Sequence, residues 1–96
     1  MSRNDILTIL KEYKHAFAEK YGILAMGVFG SVARGTYRED SDLDIYVSTI
    51  TPNPFALVHM KEEIEERVHR RVDIVRLREK MNPFLKERIE KEGIHV

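Results

Sequence analysis

Asp40, Asp42 and Asp44 stand at every second position in "GVFGSVARGTYREDSDLDIYV" (Gly27 to Val47), behind a Gly30-Ser31 pair. Clustered carboxylates repel one another unless a cation lies between them. Glycine lets backbone come close to a ligand. The stretch therefore reads as a site for something phosphorylated and something metallic. Two carboxylates at i and i+2 of a strand share a face, roughly 6–7 Å apart along the chain. The oxygens of Asp42 and Asp44 can then converge on one or two divalent cations. Asp73, in "VDIV", supplies a third carboxylate from a neighbouring strand. Phosphoryl and nucleotidyl transfer commonly use two metals about 3.5–4 Å apart to hold the attacking and leaving oxygens in line. Gly30 and Ser31 would offer backbone N–H groups and a hydroxyl to a triphosphate. Arg34 is the nearest cationic candidate for a phosphate contact, with Arg38 and Lys80 as lesser ones.

Two other chemistries fail on spacing. Gly30 and Gly35 fit G-x-x-x-x-G, but the next residues are Thr36 and Tyr37, not Lys and Ser/Thr, so a P-loop would lack its phosphate clamp. Asp40, Asp42 and Asp44 fit the first three ligand positions of a calcium loop. Its sixth position, a glycine, is Ile45 here, and its twelfth, a glutamate, is Thr51.

The elements that must position these residues are legible in outline. Ile6, Leu10, Tyr13 and Phe17 recur at helical spacing, which predicts a helix from about Asp5 to Lys20 ended by Gly22. "ILAMGVF" (Ile23 to Phe29) reads as a buried strand. "SDLDIYV" (Ser41 to Val47) and "VDIVRL" (Val72 to Leu77) alternate and read as two more. Between strands one and two, Ser31 is expected to cap a short helix through "VARG". "NPF" occurs at Asn53 and again at Asn82, an N-cap followed by proline at the first helical position. It starts helices from about Pro54 to Arg70, with Leu57, Ile64 and Val68 inward, and from Pro83 to Glu92, the latter stopped by Gly93. The order predicts a mixed α/β (α+β) domain, with residues 1–96 forming one unit.

Sixteen basic residues balance sixteen acidic ones in 96, so net charge gives no general pull toward nucleic acid. "RVHRR" (Arg67 to Arg71) reads as a helix C-terminus complementing its dipole, so direct nucleic-acid binding is not expected. The four histidines carry no ligand spacing and read as surface or partial core. There is no cysteine, hence no disulfide and no thiolate metal site. No apolar run could span a bilayer, so no membrane role is expected, and the expected location is the cytoplasm.

The stretch "GSVARGTYREDSDLD" follows the pattern Gly-Ser, ten residues, Asp-x-Asp. With "ARG" inside it and "VDIV" downstream, the chain resembles the minimal nucleotidyltransferases of the DNA polymerase β superfamily over nearly its whole length. The resemblance implies a small mixed sheet flanked by helices, like a polymerase palm. It implies Asp42, Asp44 and Asp73 as catalytic residues holding two Mg2+ ions, with ATP as substrate. It further implies an antitoxin whose partner is a helical HEPN-class RNase toxin, silenced by transfer of AMP to one of its tyrosines. Ile94 to Val96 are candidates for the apolar surface that such a partner covers. Two alternatives stand beside this. The chain could inhibit its partner by binding alone, or transfer a nucleotide to RNA or to a small molecule.

Overall fold

A computed structural model describes residues Met1–Val96. Ser2 opens the first helix, α1 (Arg3–Tyr21), two residues before the expected start. Its side chain accepts from the Asp5 N–H while the Asp5 carboxylate accepts from the Ser2 N–H, a reciprocal capping box. Ile6, Leu10 and Tyr13 are its buried stripe, whereas Phe17 is only partly buried. Gly22, left-handed at φ 65°, ends it.

Strand β1 (Ile23–Phe29) runs into a five-residue helix, α2 (Gly30–Arg34), and strand β2 (Leu43–Thr49) follows. Ser31 does not cap α2. The helix is counted from Gly30, so the residue at the capping position is Phe29, which has no side-chain acceptor. β2 starts two residues later than alternation suggested. A turn holds Arg38 to Ser41 through Arg38 N–H to Ser41 Oγ (2.8 Å) and Ser41 N–H to the Arg38 carbonyl (3.1 Å). Asp42 therefore precedes the strand.

Both Asn-Pro starts occur as expected. Asn53 Oδ1 accepts from the Phe55 and Ala56 N–H groups at the head of α3 (Pro54–Val68). Asn82 Oδ1 accepts from those of Phe84 and Leu85 at the head of α4 (Pro83–Glu92). α3 stops two residues short of Arg70, at a left-handed His69 (φ 55°). Ala56, Met60, Ile64 and Val68 are its buried residues, with Leu57 partly covered. β3 (Val72–Arg76) lies between the two helices.

The strands form one mixed sheet in the order β3-β2-β1-β4. β1 pairs antiparallel with β2, and β2 pairs parallel with β3 through the α3 crossover. The fourth strand, β4 (Ile94–His95), was not foreseen. It pairs antiparallel with β1, Val28 facing Ile94, and the Val96 N–H continues to the Met26 carbonyl at 3.0 Å. Two residues are too few for alternation to be read. Ile94 and Val96 are half-buried against the main core, so only part of the apolar surface expected of them is open. Gly93 follows α4 in an extended conformation, and a Cβ there would collide with the Ile89 carbonyl.

Alternation assigns the two faces of the sheet. Met26, Val28, Leu43, Ile45 and Val47 join α1 and α3 in the main core. Phe29 and Tyr46 face the other way and meet Ile89 of α4 in a smaller cluster. The Tyr46 ring lies across β1 at Gly27, where any Cβ would strike the Tyr46 hydroxyl and the Ile94 carbonyl. No helix is long and apolar enough to cross a membrane.

Candidate active site

The α4 side of the sheet carries the acids. Phe29 pairs with Asp44 and Asp44 with Asp73, so the three residues form a row across β1, β2 and β3 on one face. Phe29 is buried, Asp44 half-buried and Asp73 exposed. Where β1 turns into α2, Gly30 adopts φ 73°, and a Cβ on it would overlap Asp44 Oδ2. The turn therefore needs glycine twice over. It takes a left-handed conformation, and it lets a carboxylate lie directly against the backbone.

Asp44 is the carboxylate under stress. Burial raises its pKa first, and the neighbouring Asp73 and Asp42 raise it further. Arg88 and Arg34 pull the other way without reversing the result. Uncompensated negative charge beside two more carboxylates is the electrostatic signature of a cation-binding or acid–base site.

The structure brings together Gly30, Asp44 and Asp73, and it leaves others outside. Asp42 is exposed just ahead of β2, and its Oδ1 lies 3.4 Å from Arg71 Nε. With both side chains largely in water, that pair adds little stability. No three Asp, Glu or His side chains stand close enough together to hold a metal ion as they are oriented. The donor set still suits magnesium, which takes hard oxygen ligands and relies on one or two carboxylates plus substrate phosphates. The excess charge at Asp44 is what such an ion would neutralise.

Arg34 and Gly30 share a partner that the sequence did not reveal. Glu92, at the end of α4, accepts from the Gly30 N–H at 3.1 Å and from Arg34 Nη1 at 3.1 and 3.0 Å. Arg88 Nη2 reaches the same carboxylate at 3.4 Å. The only sequence signal was the i,i+4 spacing of Arg88 and Glu92, which any solvated helix shows. Ser31 is half-buried in the first turn of α2, and Arg38 and Lys80 are exposed. All four histidines are exposed.

The basic cluster that closes α3 is used within the chain. Arg67 lies over the Tyr13 and Phe17 rings, Arg70 donates to the Arg38 and Ser41 carbonyls, and Arg71 pairs with Asp42. The clefts of the surface lie elsewhere, one of them between α1 and α3 beside Tyr13 and Phe17. The acidic row is thus an open face.

With this geometry in place, the comparisons with known proteins align with it. The family described as "Polymerase beta, Nucleotidyltransferase" matches residues 10–96. The protein adenylyltransferase MntA of Thermococcus cleftensis is 36% identical over 76 residues, 78% of this chain and 77% of that one. A solved structure described as a minimal nucleotidyltransferase superposes with a TM-score of 0.78 at 34% identity, covering 98% of this chain and 95% of that one. The fold is also that of an MNT antitoxin of Shewanella oneidensis, solved in complex with its tri-AMPylated HEPN toxin. There the TM-score is 0.69 at 20% identity, over 99% of this chain and 71% of that one.

Proposed function

We propose, from the premise that the chain belongs to the polymerase β nucleotidyltransferase family and is a nucleotidyltransferase, that it transfers AMP from ATP to a tyrosine of a HEPN-class toxin and so acts as an antitoxin. The observation that carries the reading is Asp44, packed against Gly30 and in register with Asp73. The likeness to MntA and to a complex with an AMPylated toxin supports the choice of acceptor. An open acidic face also fits an acceptor that a macromolecule presents.

Each residue then has a task. The Gly30 N–H, the Ser31 hydroxyl and Arg34 bind the triphosphate and fix its α-phosphorus over Asp44. Asp42, Asp44 and Asp73 would hold magnesium, which when bound supplies positive charge against the phosphates and makes the attacking hydroxyl more acidic. Asp73, the most exposed of the acidic row, takes the proton of that hydroxyl. The tyrosine oxygen forms a bond to the α-phosphorus, and the bond from that phosphorus to the bridging oxygen of the β-phosphate breaks. Pyrophosphate leaves on the Gly30-Ser31 side. AMP left on the tyrosine adds bulk and negative charge where an RNase must bind phosphate.

A binding-only antitoxin is the second reading. It is favoured by Arg34 and Asp42 both being engaged within the chain. Labelled ATP separates the two. Label from the α-phosphate should pass to the partner protein, and label from the γ-phosphate should not. Transfer to RNA or to a small molecule instead would overturn the assigned acceptor. No transfer at all, with the partner inhibited, would leave the binding-only reading.

A further inference from the structure

Glu92 is placed as a ligand would be. It lies 62 residues from Gly30 and 58 from Arg34, yet its Oε1 accepts from the Gly30 backbone and from Arg34 and Arg88, while Oε2 accepts from Arg34. A backbone N–H and two guanidinium groups converging on two oxygens is the pattern by which proteins bind phosphate. We propose that Glu92 is a built-in competitor, holding the donors that the nucleotide's polyphosphate takes, and that ATP must displace it to bind. This rests on the nucleotide reading above and adds a residue that sets affinity and selects for the polyphosphate.

The energetics permit displacement. The Arg34 side chain is 45% exposed and that of Arg88 52%, so water screens both pairs. α4 does not depend on them for its place. Ile89 anchors it against Phe29 and Tyr46, and β4 ties the following residues to β1. Rotation of one side chain frees the cradle. A polyphosphate offers several negative charges against the single charge of a carboxylate, whereas a monophosphate has a smaller advantage. Glu92 stays ionised to lower pH than an ordinary glutamate. Burial opposes this, but the hydrogen bonds from Arg34 and Gly30 prevail.

If the open cradle is a minor state, removing the competitor raises apparent affinity by the fraction it had suppressed. Titration calorimetry with Mg·ATP, on the parent, Glu92→Gln and Glu92→Ala, tests this. Circular dichroism confirms the fold of each. Both variants should bind Mg·ATP more tightly, on the order of tenfold. Binding that is unchanged or weaker would overturn the proposal and make Glu92 a tie that positions Arg34, while the nucleotide reading stood. No binding by any of the three would contradict the nucleotide reading itself. A further measurement uses the parent alone. Pyrophosphate should move the Gly30 amide and Arg34 Nε resonances together, and a titration that moves neither overturns the proposal whatever the variants do.

Discussion

One sheet presents two faces of opposite character. On the α1/α3 side, Ile45 and its neighbours are wholly buried among apolar side chains. On the α4 side, Asp44, the residue before it, lies half-buried among charges that do not cancel. The same strand thus puts one residue in the core and its neighbour among charges, because a strand changes face at every step. The difference is also visible in the carboxylates. Glu63 of α3 accepts from the Tyr13 and Tyr21 hydroxyls. Burial raises its pKa, but those hydrogen bonds and the charges of Lys20 and Arg67 outweigh it, so Glu63 is lowered where Asp44 is raised. One acid is satisfied by hydrogen bonds within the protein. The other is not, and the proposed function gives it a ligand.

The sharpest way to break this comparison is to change the two neighbours separately. Ile45→Ala should lower stability by about 2–5 kcal/mol, since a fully buried side chain leaves a cavity. That corresponds to a fall in Tm of at least about 8 °C for a chain of this size. Asp44→Asn, in EDTA, should leave Tm unchanged or raised, because it removes a charge that burial disfavours. A large loss of stability in Asp44→Asn would mean that Asp44 is structural. Thermal denaturation measures both.

A ligand that binds only the folded state stabilises it. Mg·ATP at a hundred times its dissociation constant should add about 2.7 kcal/mol to the parent. Asp42→Asn combined with Asp44→Asn should abolish that shift, and a shift that survives would move the nucleotide to another face. A smaller effect tests the packing that closes the α4 side. Gly27→Ala forces Tyr46 off β1 and should cost about 1–3 kcal/mol, read by urea denaturation. If a double-mutant cycle with Tyr46→Leu, which removes the ring, showed no relief of that loss, the clash would lie mainly with the Ile94 carbonyl.

The smallest effect is pH-dependent. Glu63 has a folded pKa below its ordinary value near 4.5, so its contribution is present above that value and is lost as pH falls through the folded pKa. Glu63→Gln should be less stable than the parent at neutral pH, with the gap closing as pH falls below 4.5 and through the lowered folded pKa. A gap independent of pH would show that the loss does not come from the carboxylate's charge, and no gap at any pH would show that the tyrosines bind the amide as well as the carboxylate.

The two faces were not equally legible in the sequence. The Asn-Pro starts at Asn53 and Asn82, the Gly22 stop and the Ile23 to Phe29 strand are local signals, and the structure repeats them. Gly30, Asp44 and Asp73 could be named because glycine and acid types at fixed spacing are rare within strands. Glu92 could not, because nothing near it in the chain points to Gly30. Its meaning comes from a contact across the fold. Ser31 was misread as a cap because the chain enters α2 through the left-handed turn at Gly30, with Phe29 at the capping position. β4 was missed because a two-residue strand has no pattern of its own and depends on β1 for its hydrogen bonds.

The central claim is that the open acidic face transfers AMP to a protein. Its most direct test is the intact mass of the cognate HEPN-class partner, sought in the reading frame adjacent to this one, after incubation with this chain, magnesium and ATP. The account predicts a gain of one or more AMP units with the parent and none with Asp44→Asn. A partner left unmodified but inhibited at equal stoichiometry, or modified equally by the variant, would contradict it.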